Sequence, residues 1–123
     1  MDSVSDPLTF TKSGEVTVVG FEQVEVLDAT RLEEVTRQLM NYVEDDHCKL
    51  IVLDLGTMKM LASRALSLFL NLHHKVESDG GKVVISGVNP SLYRVFKITN
   101  LVNVFDFFDD ADAAIKNLSP STQ

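Results

Sequence analysis

The stretch Leu50–Leu72, LIVLDLGTMKMLASRALSLFLNL, decides how this chain folds. From Leu50 to Leu55 it is apolar except at Asp54 and rich in branched side chains. An unbroken run of that kind suits a strand covered on both faces, as in a parallel sheet, because a half-exposed strand would alternate. Gly56 and Thr57 then punctuate the chain, and Ala65, Leu66, Leu68, Phe69, Leu70, Leu72 and Val76 keep one broad helical face apolar. Ser63 stands where a helix N-cap belongs. The spacing predicts a strand, a loop and a helix, with a serine at the helix tip above the carboxyl end of a sheet. In open α/β sheets that edge is where ligands and partners meet the protein.

Strands and helices alternate on either side. Leu8 to Lys12 and Glu15 to Phe21 form a hairpin about Ser13-Gly14, and Val24 to Leu27 continues extended. Asp28 or Thr30 opens a first helix, Thr30 and Glu33 having capping-box spacing, and Leu32, Val35, Leu39, Tyr42 and Val43 form its apolar face. The second helix, Ser63 to Glu77, closes at Asp79-Gly80-Gly81. A strand follows from Lys82 to Val88. Asn89-Pro90 is an N-cap with proline at the first helical position, opening a helix that buries Leu92, Val95, Phe96 and Ile98 and ends at a left-handed Asn100. A strand at Val104 to Phe108 leads to a last helix, capped by Asp109 or Asp110, that runs to Leu118 before Pro120. The expectation is one α/β domain over residues 8–118, a mainly parallel sheet with an antiparallel N-terminal strand and four helices. Residues 1–7 and 119–123 are expected to be flexible ends.

Composition narrows the function. A chain of 123 residues, 45% hydrophobic, can bury a core of its own. The formal charge of −7 and the lack of any Lys/Arg block argue against sequence-independent nucleic-acid binding, which needs clustered cations. Cys48 is the one cysteine, so no internal disulfide forms, and its reading is a structural, half-buried thiol. Met1 to Pro7 lacks the basic and apolar regions of a signal peptide, and no apolar stretch approaches a membrane span. These features predict a cytoplasmic protein that does not insert into membranes.

No residues combine into a catalytic centre, a metal site or a cofactor site. Gly80-Gly81 ends a helix, whereas a phosphate loop begins one. His73 and His74 point about 100° apart on a helix and cannot share a metal facially. The pairs Glu33-Glu34, Asp45-Asp46 and Asp109-Asp110 fall near helix ends, where solvation or capping accounts for them. Leu53-Asp54-Leu55 resembles the phosphoacceptor strand of a two-component receiver. However, the acidic pair after the first strand and the lysine after the last are missing. Asp54 is therefore expected to accept hydrogen bonds from loop backbone N–H groups and shape the turn toward Ser63.

The segments Ile51–Leu70, Gly80–Val88 and Ile98-Thr99-Asn100-Leu101, in this order, resemble a STAS domain, the sulfate-transporter and anti-sigma-factor-antagonist family. The likeness spans residues 8–118. Members carry a Leu-Asp-Leu strand, Asp-Ser-Ser-Gly-Leu opening a helix, Gly-Gly before the next strand and Thr-Gly-Leu before the last. The resemblance implies a STAS sandwich fold and a non-enzymatic switch in bacterial partner switching. In it, an anti-sigma-factor kinase binds the domain and phosphorylates the first serine of the motif, the phosphorylated form dissociates and a phosphatase resets it. Ser63 occupies the phosphoacceptor position. Met58, Lys59, Met60, Ala62, Arg64, Ala65 and Ser67 would form the partner-binding surface, with Asp54 shaping the loop. Three positions depart from the motif: Ala62 replaces its aspartate, Arg64 its second serine and Ala65 its glycine. Arg64 can pair with a phosphate on Ser63 and blunt its repulsion. The alternative implied by these departures is a STAS interaction or scaffold module that is not phosphorylated, such as a subunit of a transport or signalling complex.

Overall fold

The computed structural model describes residues 8–21, 26–27, 29–46, 49–61 and 63–118. Asp28, His47, Cys48, Ala62 and both expected flexible ends lie outside the described residues. In chain order the elements are β1 Thr9–Ser13, β2 Val16–Gly20, β3 Val26–Leu27, α1 Ala29–Asp46, β4 Leu50–Asp54, β5 Met60–Leu61, α2 Ser63–Ser78, β6 Lys82–Ser86, α3 Pro90–Ile98, a 3₁₀ turn Leu101–Asn103, β7 Phe107–Phe108 and α4 Ala111–Leu118.

The main sheet has the order β1-β2-β4-β6-β7. The β1–β2 pair is antiparallel; β2–β4, β4–β6 and β6–β7 are parallel. This is the expected α/β architecture: four helices around a mainly parallel sheet with one antiparallel N-terminal strand. β4 lies at its centre, Ile51 opposite Thr17 on one side and Val83 on the other.

Successive β4 side chains point to opposite faces, and both faces are covered. Ile51 and Leu53 join Val35, Leu39, Leu68, Phe69 and Leu72 of α1 and α2 in the larger core. Val52 packs with Val16, Val84, Ala114 and Leu118 beneath α4. The uninterrupted apolar run is thus explained by two cores sharing one strand. Each fully buried aliphatic or aromatic side chain contributes about 2 kcal/mol.

The ends of the elements follow local chemistry. Asn89 caps α3, its Oδ1 accepting from the Leu92 N–H at 2.9 Å, with Pro90 at the first helical position. Asp110 Oδ1 accepts from the Ala113 N–H at 2.8 Å at the start of α4. The two glycines after α2 do different work. Gly80 takes φ +86°, whereas a Cβ on Gly81 would stand 2.1 Å from the Lys49 carbonyl oxygen. Asn100 is left-handed at φ 68°, as its position predicts.

Several local expectations are corrected. Thr30 lies inside α1 and does not precede it. The strand expected over Val104 to Phe108 is confined to Phe107–Phe108, because the Val104 and Phe105 N–H groups turn back to the Leu101 carbonyl at 3.0 and 3.2 Å. Ile98 is 76% exposed: the buried stripe of α3 consists of Leu92 and Phe96 with Val95 half-buried, and Ile98 falls on the opposite side of the helix, about 200° from Phe96.

Candidate functional site

Ser63 is delivered by a connection that begins in the sheet. Asp54 ends β4, and its Oδ1 accepts from the Gly56 N–H at 3.0 Å, closing a short side-chain-supported turn. A Cβ on Gly87, which sits at φ +75°, would lie 3.1 Å from that same carboxylate oxygen, so β6 and the turn approach closely only because the position is glycine. The Leu55 N–H donates to the Ser86 carbonyl at 2.9 Å and the Met58 N–H to the Leu55 carbonyl at 3.1 Å. Thr57 Oγ1 donates to the Phe21 carbonyl at 2.8 Å, and Asn89 Nδ2 to the Met58 carbonyl at 3.2 Å. The turn is thereby tied to β6, to the end of β2 and to the cap of α3.

Beyond Met58 the chain turns outward. Lys59 and Met60 are exposed, Met60 to 62%. Met60 and Leu61 form β5, pairing in parallel with Val26 and Leu27 as a second, two-stranded sheet. A loop was expected over this stretch; the strand pairing is the difference, and it fixes the approach to α2. Ser63 is the first residue of α2, one place further into the helix than an N-cap, and it is exposed. Its own N–H is among the donors that the first helical turn leaves unpaired.

The residues expected to form the partner surface divide. Ser63, Arg64 and Ser67 are exposed on the first turns of α2, beside Lys59 and Met60. Met58 and Ala65 are not on the surface. Met58 is 1% exposed and belongs to the larger core, and Ala65 is fully buried on the sheet-facing side of α2. Neither side chain can be a contact for another protein. Ala62 lies outside the described residues.

Two grooves flank the ridge made by α2. One, about 260 Å³, is lined by Ser63, Leu66, Ser67, Leu70, Thr99 and Leu101. The other, about 300 Å³, lies toward α1 between Leu32, Met40, Arg64 and Leu68. Ser67 borders both. Thr99 and Leu101 had no signal in the sequence as groove residues, since only the path of the chain after α3 brings them to α2. A larger hollow, about 450 Å³, lies at the opposite end of the strands, between Lys49 and Asp79. Lys75 and Glu44, also in its lining, are paired at 3.4 Å there.

Among the described residues, no group of three or more His, Cys, Asp or Glu could hold a metal ion. His73 packs edge-on against Phe105 at 5.3 Å and lies 3.7 Å from Glu77, and its buried Nδ1 has no hydrogen-bond partner among the described residues. Among the described residues no helix is long and apolar enough to cross a membrane. The site offers an exposed hydroxyl at a helix tip, flanking apolar grooves and nearby cations, which suits binding and modification.

Comparison with known proteins agrees with the fold. Over 92 residues the chain is 24% identical to an anti-sigma F factor antagonist of Paenibacillus polymyxa, covering 75% of this chain and 79% of that one. Its fold matches an anti-sigma-factor antagonist (STAS) domain protein of Planctomyces limnophilus with a TM-score of 0.86 at 17% identity, over 94% of this chain and 100% of the other. The phosphorylated form of the Bacillus cell-fate determinant SpoIIAA matches with a TM-score of 0.71 at 15% identity, over 91% and 99% of the two chains. The family model of the STAS domain matches residues 9–114. This chain belongs to the STAS domain family.

Proposed function

We propose that this protein is an anti-sigma-factor-antagonist-like binding module of a cytoplasmic bacterial partner-switching pathway. It binds an anti-sigma factor of the serine-kinase type through the crest Lys59–Ser67, and Ser63 is the phosphoacceptor. It catalyses no reaction of its own. The observation that carries this reading is that Ser63, the first residue of α2, is exposed and lines the groove it shares with Thr99 and Leu101, above the carboxyl end of β4. A partner can reach that serine without unfolding anything.

The physics of a switch at this point is local. A phosphate brings nearly two negative charges to a helix N-terminus, where backbone N–H groups and the helix dipole accept them. Within a closed interface the same group adds bulk and must be desolvated, which opposes binding. Arg64, next in sequence and exposed, supplies a guanidinium beside the acceptor and sets how far the added charge is neutralised.

The test is incubation with the serine-kinase-type ATPase encoded in the same genome and ATP, followed by intact-mass spectrometry. The expected result is a gain of one phosphoryl group by the native chain and none by Ser63→Ala. No gain, or a gain that persists in Ser63→Ala, contradicts the assignment.

A further inference from the structure

Charge is distributed unevenly along this acidic chain. Between Leu55 and Phe105 the carboxylates are Glu77 and Asp79 alone, both at the far end of α2, while Lys59, Arg64, Lys75, Lys82, Arg94 and Lys97 are cations. Lys75 is engaged with Glu44 at 3.4 Å and Lys82 with Asp106 at 2.7 Å, and Lys59 also has a partner. Arg64, Arg94 and Lys97 are exposed, and among the described residues no ion pair holds them. Neither α2 nor α3 carries an acid in its first turn. Exposed apolar surface falls in the same part of the sequence. Leu66, Leu70 and Leu101 line the groove beside Ser63, and Ile98 is 76% exposed one residue before the groove's Thr99.

From this we infer that the partner face received here is an acidic, amphipathic segment. Its aliphatic side chains fill the groove between α2 and the 3₁₀ turn, and its carboxylates meet Arg64, Arg94 and Lys97. The inference rests on the proposed function in taking this rim as the docking side, and it adds the chemistry of what docks. Isolated exposed apolar residues need no explanation, but here the groove residues Ser63 and Thr99 stand one and two positions from Arg64 and Lys97, exposed cations held by no ion pair among the described residues, on a chain of charge −7, and that local excess of cations selects for the opposite charge. A positively charged segment would be drawn to the rest of the surface instead. Groove burial would supply affinity, and the cations would supply orientation and an association rate that falls with salt.

The test is a titration of the isotope-labelled full chain, followed by NMR, with a helical Leu/Glu peptide and with its Leu/Lys counterpart. The Leu/Glu peptide is expected to shift the amides of Ser63 to Leu70 and Ile98 to Leu101, and to bind less tightly as salt rises. The double variant Arg94→Glu/Lys97→Glu, both positions exposed, should bind it about tenfold more weakly with its own spectrum otherwise preserved. The Leu/Lys peptide should act elsewhere. The inference is overturned if the Leu/Glu peptide leaves these amides unmoved, if the Leu/Lys peptide shifts them as strongly, or if they shift with protein concentration alone, which would place a second copy of this chain in the groove. Phosphorylation of Ser63 without such peptide binding would sink this inference alone. Peptide binding here with no kinase acting on Ser63 would sink the proposed function alone.

Discussion

The connection between β4 and α2 has two halves built on opposite principles. Asp54 to Met58 is fastened, its backbone and side chains bonded to Phe21, Ser86 and Asn89 and the Met58 side chain sunk in the core. Lys59 to Ser67 is mostly displayed, and of this stretch Ala65 and Leu66 alone are buried among the described residues. The first half holds the second at a fixed height and direction, so that a partner meets a pre-formed surface and loses little entropy in ordering it. Substitutions in the first half should therefore cost stability, and those in the second should cost binding.

Met58→Ala is the severest test of that division. Truncating a fully buried methionine should cost about 3 kcal/mol and lower the melting temperature by many degrees. A thermal melt near that of the native chain would mean the fastened half is not fastened. Asn89→Ala removes both a helix cap and the donor to the Met58 carbonyl, and should cost about 1–2 kcal/mol in chemical denaturation. Loss of Ser63 phosphorylation at the same time, with the fold intact, would sharpen the case that the anchor positions the crest. Met60→Ala lies in the displayed half and should change stability by no more than about 0.5 kcal/mol while weakening partner binding; a large loss of stability would erase the contrast.

The smallest effect lies outside the connection and serves as a control. Gln38 Nε2 donates to Glu34 at 2.8 Å, and Arg37 donates to the other carboxylate oxygen. The Gln38 bond, then the Arg37 bond, hold this carboxyl below its ordinary pKa. A lowered folded-state pKa gives stability that is present above the unfolded-state value and lost as pH falls through the folded one. Glu34→Gln should therefore narrow the slight difference in melting temperature between neutral and acidic buffer without touching the crest.

The sequence carried the fold well because two periods are written in it. The Leu50–Leu55 run, apolar except at Asp54, suited a doubly covered strand, and the stripe from Ala65 to Val76 suited a helix with one face buried. Asn89-Pro90 and Asn100 announced their backbone geometry through local chemistry. Periodicity was silent elsewhere. Two-residue strands such as β3 and β5 are too short to show a repeat, so their pairing appears only in three dimensions. Met58-Lys59-Met60 has no pattern separating a buried methionine from an exposed one; what buries Met58 is the turn closed by Asp54 and the distant hydrogen bond from Asn89. Ile98 looked like core because it is apolar and near the helical stripe, yet as the last residue of α3 it stands about 200° round the helix from buried Phe96. The position of Ser63 was legible, whereas the far wall of its groove, Thr99 and Leu101, was not.

The decisive measurement is the calorimetric affinity of the native chain and of Ser63→Asp for a serine-kinase-type anti-sigma factor that binds the native chain. A carboxylate at the first position of α2 imitates part of the phosphate's charge. Binding is expected to be about a hundredfold weaker for Ser63→Asp at unchanged melting temperature. Equal affinity for the two chains would contradict it, and would leave a STAS module whose partner binding is not governed by this serine.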